Sequence, residues 1–262
     1  MRTLMLTAAA LAAPSLASSA PSDLTSGLER EVRETRQLSR DIRSGTRAAT
    51  ATAPGLKTNL TIGFAHDKDQ DDVKSGTTPF DLSVAATGEN WWKFDLKGDG
   101  YTRIQTPGED SASGLSDLKA EAMHPIVEGL RWGVGIKIPV GGNVGSKTSG
   151  QTGKLLWAPN ASGAWSFAAA AIVSRANGEM KPGVSRIAKV AYGQIAYDLQ
   201  NGMGVVGSLS RMHRSGIGSA TDAGLELDFT PSPNIDGAAS VSRGLTSGSR
   251  HTGIEVDFTF HF

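Results

Sequence analysis

The stretch His251-Thr252-Gly253-Ile254-Glu255-Val256-Asp257-Phe258-Thr259-Phe260-His261-Phe262 decides how this chain is read. From Ile254 onward the large apolar residues Ile254, Val256, Phe258, Phe260 and Phe262 alternate strictly with Glu255, Asp257, Thr259 and His261. A period of two belongs to a strand with one apolar and one polar face. A soluble sandwich also uses such strands. Aromatics at Phe258, Phe260 and Phe262 in succession, however, suit a strand whose apolar face meets lipid.

Upstream, the same pattern recurs from Leu56, in short alternating segments parted by Gly, Pro, Asn and Asp. Twelve segments are expected, at about 57–66, 79–87, 91–99, 114–124, 129–138, 150–157, 163–174, 188–199, 203–212, 219–230, 234–242 and 251–262. Each is near the roughly 9–11 residues that cross a bilayer as a tilted strand. The sixth, with Gly150, Gly153 and Lys154, has the weakest alternation, and without it the count is ten. The connections after even segments are brief, and those after odd segments mostly much longer. Short turns on one side and long loops on the other mark an up-and-down membrane barrel. Trp91, Trp92, Trp132, Trp157 and Trp165 all fall beside short turns, where an aromatic girdle belongs at one interface. Pro79 is expected to open a strand, and the later prolines to lie in turns or loops.

The aromatic end resembles the C-terminal strand of bacterial outer-membrane β-barrels, where such a strand serves as the assembly signal. Phe258, Phe260 and Phe262 carry that resemblance, which implies the barrel-assembly machinery and outer-membrane lipid as partners. A second resemblance rests on Gly114-Leu115-Ser116-Asp117-Leu118 and Ile136-Lys137-Ile138-Pro139-Val140-Gly141. These are similar to the two marks of the phenol meta-pathway transporter family of outer-membrane proteins, with Ser116 in place of a Gly. That family implies passage of small aromatic compounds.

Bulk properties agree with a barrel. With 20% charged residues and no apolar run of eighteen, the 262-residue chain is no helical membrane protein. A mean hydropathy of −0.21 is what polar interior and apolar exterior positions produce together. A formal charge of +0 implies no nucleic-acid partner. Without Cys there are no disulfides or thiolate metal sites, as suits an oxidising compartment. The 32 Gly exceed the average share of about 7%, pointing to turns and close strand contacts.

The N-terminal fifth is different material. Arg2, the apolar stretch Leu4 to Ala13 and the small residues Ser15 and Ala17 have the zones of a secretory signal peptide, so residues 1–17 are read as that signal. Residues 18–55 follow as a periplasmic amphipathic helix and linker. Leu24, Leu28, Val32, Leu38 and Ile42 share one side of a helix over 23–44, and Arg30, Arg33, Arg36, Arg40 and Arg43 gather on the other. A helix with one apolar stripe needs a partner: a sister helix in a homo-oligomer, a periplasmic protein, the membrane or the barrel interior. At roughly 33 Å it is long enough to span a barrel core.

The expected fold is therefore all-β: an antiparallel up-and-down transmembrane barrel of about twelve strands over 56–262, preceded by a short helix. Strand parity turns Lys93, Asp95, Lys97, Asp117, Lys119, Glu121, Arg131, Lys137 and Lys154 inward on one wall, and Glu226, Asp228, Asp236, Glu255 and Asp257 on another. Those residues are the candidate pore lining. The expected function is an outer-membrane channel for small solutes. The alternatives are a structural or tethering barrel with the helix as plug, and an outer-membrane lipid hydrolase using His66, His213 or His251. No G-x-S-x-G occurs, so no catalytic residue, cofactor or metal is assigned. Asp67, Asp69 and Asp71 resemble the start of a calcium loop, but Asp72 stands where Gly is required. Gly145-Ser146-Lys147-Thr148 likewise lacks the strand-to-helix setting of a phosphate loop.

Overall fold

A computed structural model of the chain describes residues 55–262, apart from 70–71, 87–91, 141–143, 146–147, 160–162, 179, 181, 247–248 and 250–251. The expected signal peptide, the helix over 23–44, Trp91, His251 and Asp71 lie outside the described residues. The strands are β1 (Leu56–Lys68), β2 (Lys74–Ala86), β3 (Lys93–Gln105), β4 (Ala112–Gly114), β5 (Leu118–Val127), β6 (Leu130–Ile138), β7 (Gly150–Trp157), β8 (Trp165–Ala176), β9 (Ile187–Gln200), β10 (Met203–Arg214), β11 (Gly218–Ser232), β12 (Ile235–Gly244) and β13 (Thr252–His261). All pairings are antiparallel and join chain neighbours, except that β3 pairs with both β4 and β5 and that the first strand meets the last. β1 pairs with β2 on one side and β13 on the other, which closes the ring. Closure leaves no edge exposed to lipid.

The seam is where the opening stretch of sequence sits. Asn59 faces His261 and Phe64 faces Val256, so Leu60, Ile62 and Phe64 meet Phe260, Phe258 and Val256 on the outer face. The Phe262 N–H donates to the Thr58 carbonyl at 2.9 Å, and the Thr58 N–H returns the bond to the Phe262 carbonyl at 3.4 Å. The ladder thus runs to the last residue of the sequence, whose ring is 76% exposed on the outside.

Several expected boundaries shift. The weakly alternating sixth segment is a full strand, β7. The fourth segment, expected unbroken over 114–124, is split. Only its first residue, Gly114, belongs to β4, which pairs with the outer half of β3 (Thr102 opposite Gly114), while β5 begins at Leu118 and pairs with the inner half (Lys97 opposite Lys119). The Ser116 hydroxyl, bonded to the Asp99 carboxylate at 3.1 Å, pins the crossing between them.

β1 and β2 overrun their apolar stretches and meet in a tight turn after Lys68, so the first loop is short where a long one was expected. Hydropathic alternation marks only the lipid-crossing part of a strand. Polar residues beyond it hydrogen-bond in the ladder equally well.

Pro79 does not open β2 but lies inside it. Pro79, Pro125 and Pro231 each sit at a register shift: Thr77/Pro79, Pro125/Val127 and Phe229/Ser232. A residue without an N–H fits a strand where the ladder is already interrupted.

The outer face carries exposed Phe94, Leu96, Val134, Ile136, Phe167, Val173, Leu209, Leu225, Val241 and Ile254. That belt is continuous around the ring. The inner face is not uniformly polar. Leu156, Ala168, Ala170, Ile172, Val190, Tyr192, Met212 and Ala220 form a buried apolar cluster on β7 to β11.

Candidate functional site

The interior of the barrel is divided by chemistry. On β3, β5 and β7, successive inward positions hold Lys93, Asp95, Lys97, Lys119, Glu121 and Lys154, all buried. They interlock. The Glu121 carboxylate hydrogen-bonds Lys154 and lies 3.0 Å from the Lys119 ammonium and 3.5 Å from that of Lys97. Lys97 also reaches Asp81 on β2 at 3.2 Å, and Lys93 reaches Asp95 at 3.1 Å. One carboxylate amid three ammonium groups binds each because burial weakens screening by water. The backbone leaves room for it: a Cβ on Gly135, across the strand pair from Glu121, would press on that side chain, and one on Gly133 would press on Met123 and Lys154.

The next positions outward carry the two quoted motifs. Asp117 from the first pairs with Lys137 from the second at 3.6 Å. Arg131 is buried lower on the same wall, on β6.

In a twelve-strand ring β5 faces β11 and β6 faces β12. That opposite wall is acidic. Glu226, Glu255 and Asp257 are buried, and Asp228 and Asp236 are half-buried. Asp67, and Asp222, which was not singled out from the sequence, are buried on the same side, on β1 and β11. No Lys or Arg described on β11, β12, β13 or β1 is buried.

Near the short-turn end a cavity of about 410 Å³ opens into the interior. Asn59, Thr61, Asp81, Ser83, Gln194, Asp228, Asp236, Asp257, Thr259 and His261 line it. His261 is held between two side chains: Nε2 is 2.8 Å from Asp236, and Nδ1 is 2.9 Å from the Asn59 amide oxygen. The Thr230 hydroxyl donates to the other Asp236 oxygen at 2.7 Å.

Outside, Trp92, Trp132, Trp157 and Trp165 are exposed beside the short turns. Trp92 meets Trp132 edge-on at 6.0 Å, and Trp165 lies 4.6 Å from Tyr197. His66 and His213 are exposed near the opposite rim, with His213 Nδ1 3.0 Å from the Ser219 hydroxyl. Among the described residues, neither His forms an ion pair with a carboxylate. The acidic run after Asp67 is also dispersed: Asp69 accepts the Val73 N–H at 2.9 Å, and Asp72 holds Lys68. No cluster of metal-ligating groups occurs among the described residues.

Sequence reasoning missed Asp81, which bridges β2 to the Lys97 network. The signal was there, since Phe80, Leu82 and Val84 face outward and Asp81 and Ser83 must face in. It missed the interior apolar cluster for a clearer reason. Ala168, Ala170 and Ile172 alternate with equally apolar Ala169, Ala171 and Val173, so period two carries no contrast there.

In comparisons with known proteins, no family model matches the sequence, and no curated protein matches it. The fold does match. An outer-membrane channel from Pseudomonas putida F1 superposes with a TM-score of 0.64 at 12% identity, over 82% of this chain and 98% of that one. The chain has the fold of outer-membrane β-barrels. The β domain of the Bordetella autotransporter BrkA gives 0.51 at 11% identity over 78% of this chain and 98% of its own, and the NanC porin 0.50 at 13% over the same shares. The apolar belt and closed ladder suit a barrel that spans a membrane.

Proposed function

We propose that this barrel is a channel that passes small solutes across the outer membrane, with the charged interior as its selective lining. The carrying observation is the interior itself, where a Lys-rich lattice centred on Glu121 faces an acidic wall beside a cavity of about 410 Å³. A barrel serving only as a structural or tethering element has no need to bury so many charges at a desolvation cost of several kcal/mol per ion. Lys93, Asp95, Lys97, Lys119, Glu121, Arg131, Lys137 and Lys154 form one wall of the pore. Glu226, Asp228, Asp236, Glu255 and Asp257 form the other. Charged walls in a narrow low-dielectric passage focus the field and sort permeants by charge and dipole.

In this reading residues 1–17 are the export signal, 18–55 the periplasmic helix and linker, and 56–262 the barrel. Trp92, Trp132, Trp157 and Trp165 anchor it at the periplasmic interface, and Phe258, Phe260 and Phe262 are what the assembly machinery engages. This reading assigns no catalytic residue; His66 and His213 lie on the outward face.

The test is conductance of purified protein in planar bilayers, with and without residues 18–55. Discrete current steps in either form are expected. Silence in both would overturn the channel.

A further inference from the structure

On the acidic wall, two rungs of the sheet repeat one arrangement. Glu226 on β11, Ser240 on β12 and Glu255 on β13 stand side by side, and next to them Asp228, Ala238 and Asp257 do the same. Adjacent strands lie about 4.8 Å apart and alternate residues about 6.8 Å apart along a strand. Four carboxylates therefore frame a floor of two small side chains, roughly 10 Å across. The neighbouring β1 positions, Ala65 and Gly63, are small as well.

Within the frame, Glu255 has no counter-charge among the described residues. Glu255 is 2% exposed, and neither of its oxygens has a hydrogen-bond partner. The buried Ser240 hydroxyl beside it has none either. Among the described residues no ammonium or guanidinium reaches Glu255. Buried carboxylates at this spacing repel one another, and a buried acceptor without a donor is costly. The cavity meets the lower rung, at Asp228, Ala238 and Asp257, and so gives access to the frame.

We propose that this frame is a cation-binding site, built for a guanidinium or primary ammonium group that sits over Ser240 and Ala238 and donates to Glu226 and Glu255. The group is planar or compact, carries several N–H donors, and replaces with one ligand the partners that both Glu255 and Ser240 lack. The inference deepens the channel reading by giving the lumen a cationic ligand. Two sources can supply this chemistry: a free organic cation in the lumen, or the arginines of residues 23–44.

Calorimetric titration of the full-length protein in detergent with L-argininamide, against glycerol as a neutral control, separates them. Binding to the wild type that weakens at least tenfold in the E226Q/E255Q variant identifies a free cation as the ligand. Binding that emerges only when Arg30, Arg33, Arg36, Arg40 and Arg43 are all changed to Gln, and is lost when E226Q/E255Q is added, identifies the chain's own guanidinium groups. Both results support the site. No binding in either background, or equal binding in E226Q/E255Q, overturns it. Should E226Q/E255Q not assemble, Ser240→Val fills the floor without removing a carboxylate, and retained binding there overturns the site equally. Calorimetry needs no ion flow. A silent bilayer with binding intact thus defeats only the channel, and conductance without binding defeats only this site.

Discussion

The Lys137 ammonium stands 3.6 Å from the Asp117 carboxylate at the outer rim of the β5–β6 pair, joining two motifs that are eighteen or more residues apart as sequence but adjacent as structure. Asp117 is buried, and Lys137 is partly open to solvent. Lys137→Gln should therefore cost more than Asp117→Asn, because it leaves a buried carboxylate short of one counter-charge, whereas the ammonium left by Asp117→Asn is open to solvent. A double-mutant cycle on the urea midpoint of the folded gel band should give a coupling of about 0.5–3 kcal/mol. Additive effects would show that the pair is incidental.

Glu121 carries a larger share. Replacing it with Gln leaves Lys97, Lys119 and Lys154 without their common carboxylate in a buried setting. Removing one partner of a buried ionic network costs about 3–5 kcal/mol. The unboiled protein should lose its compact gel mobility at a markedly lower temperature than wild type. Surviving channels should shift toward anions in a salt-gradient reversal potential. Unchanged selectivity would remove this lattice from the permeation path.

Outside the membrane, the Lys68 ammonium lies 2.6 Å from Asp72 across the first turn. Its hydrogen bond, more than its charge alone, holds the Asp72 carboxyl below the ordinary carboxylate range, with a smaller contribution from Lys74. A depressed carboxylate contributes above its unfolded pKa, and that contribution fades as pH falls through the folded one. Carboxyl titration by NMR should show Asp72 moving up to the ordinary range in Lys68→Gln. An unmoved midpoint would mean that the contact is not held in solution. Both groups are exposed, so the effect on global stability is small.

At the seam, deleting Phe262 removes a backbone pair with Thr58 and an aromatic side chain that is mostly outside. Little burial is lost. The prediction is that the truncated chain reaches the outer membrane slowly, while the fraction that assembles resists heat like the wild type. Wild-type accumulation after pulse labelling would show that the final aromatic is not read during assembly.

Where the sequence was legible, lipid supplied the contrast. Strands such as β6, with Trp132, Val134, Ile136 and Ile138 facing out against Arg131 and Lys137, could be placed because the two faces differ in chemistry. The same parity named Lys93, Lys97, Lys119 and Glu121 as interior groups. It left open whether they pair locally with Asp95, Asp117 and Glu121, since the reach of a Lys across two strands depends on which glycine lies between. It also failed on β8, where both faces are apolar, and at Pro79, where a bulge lets the strand continue through a residue that ordinarily ends one. The clash of charged walls inferred from parity is thereby reduced on the basic side, where carboxylates interleave with lysines. On the acidic side small residues separate the acids.

Gly63 and Asp257 supply a test of that last arrangement. They are cross-strand partners at the seam, and a Cβ on Gly63 would strike the Asp257 carboxylate and stand 2.8 Å from the Val256 carbonyl. Asp257 therefore lies across β1 only because position 63 has no side chain. Gly63→Ala must push the carboxylate aside or open the seam, and overpacking of this kind costs about 1–3 kcal/mol. Adding Asp257→Ala removes the larger obstacle but not the carbonyl contact. The double variant should recover part of the lost heat resistance, and Asp257→Ala alone should cost little. If Gly63→Ala is neutral, the carboxylate is not held over β1. If the double variant is worse than either single change, Asp257 stabilises the seam directly, and the small residue at position 63 serves the strand pairing instead.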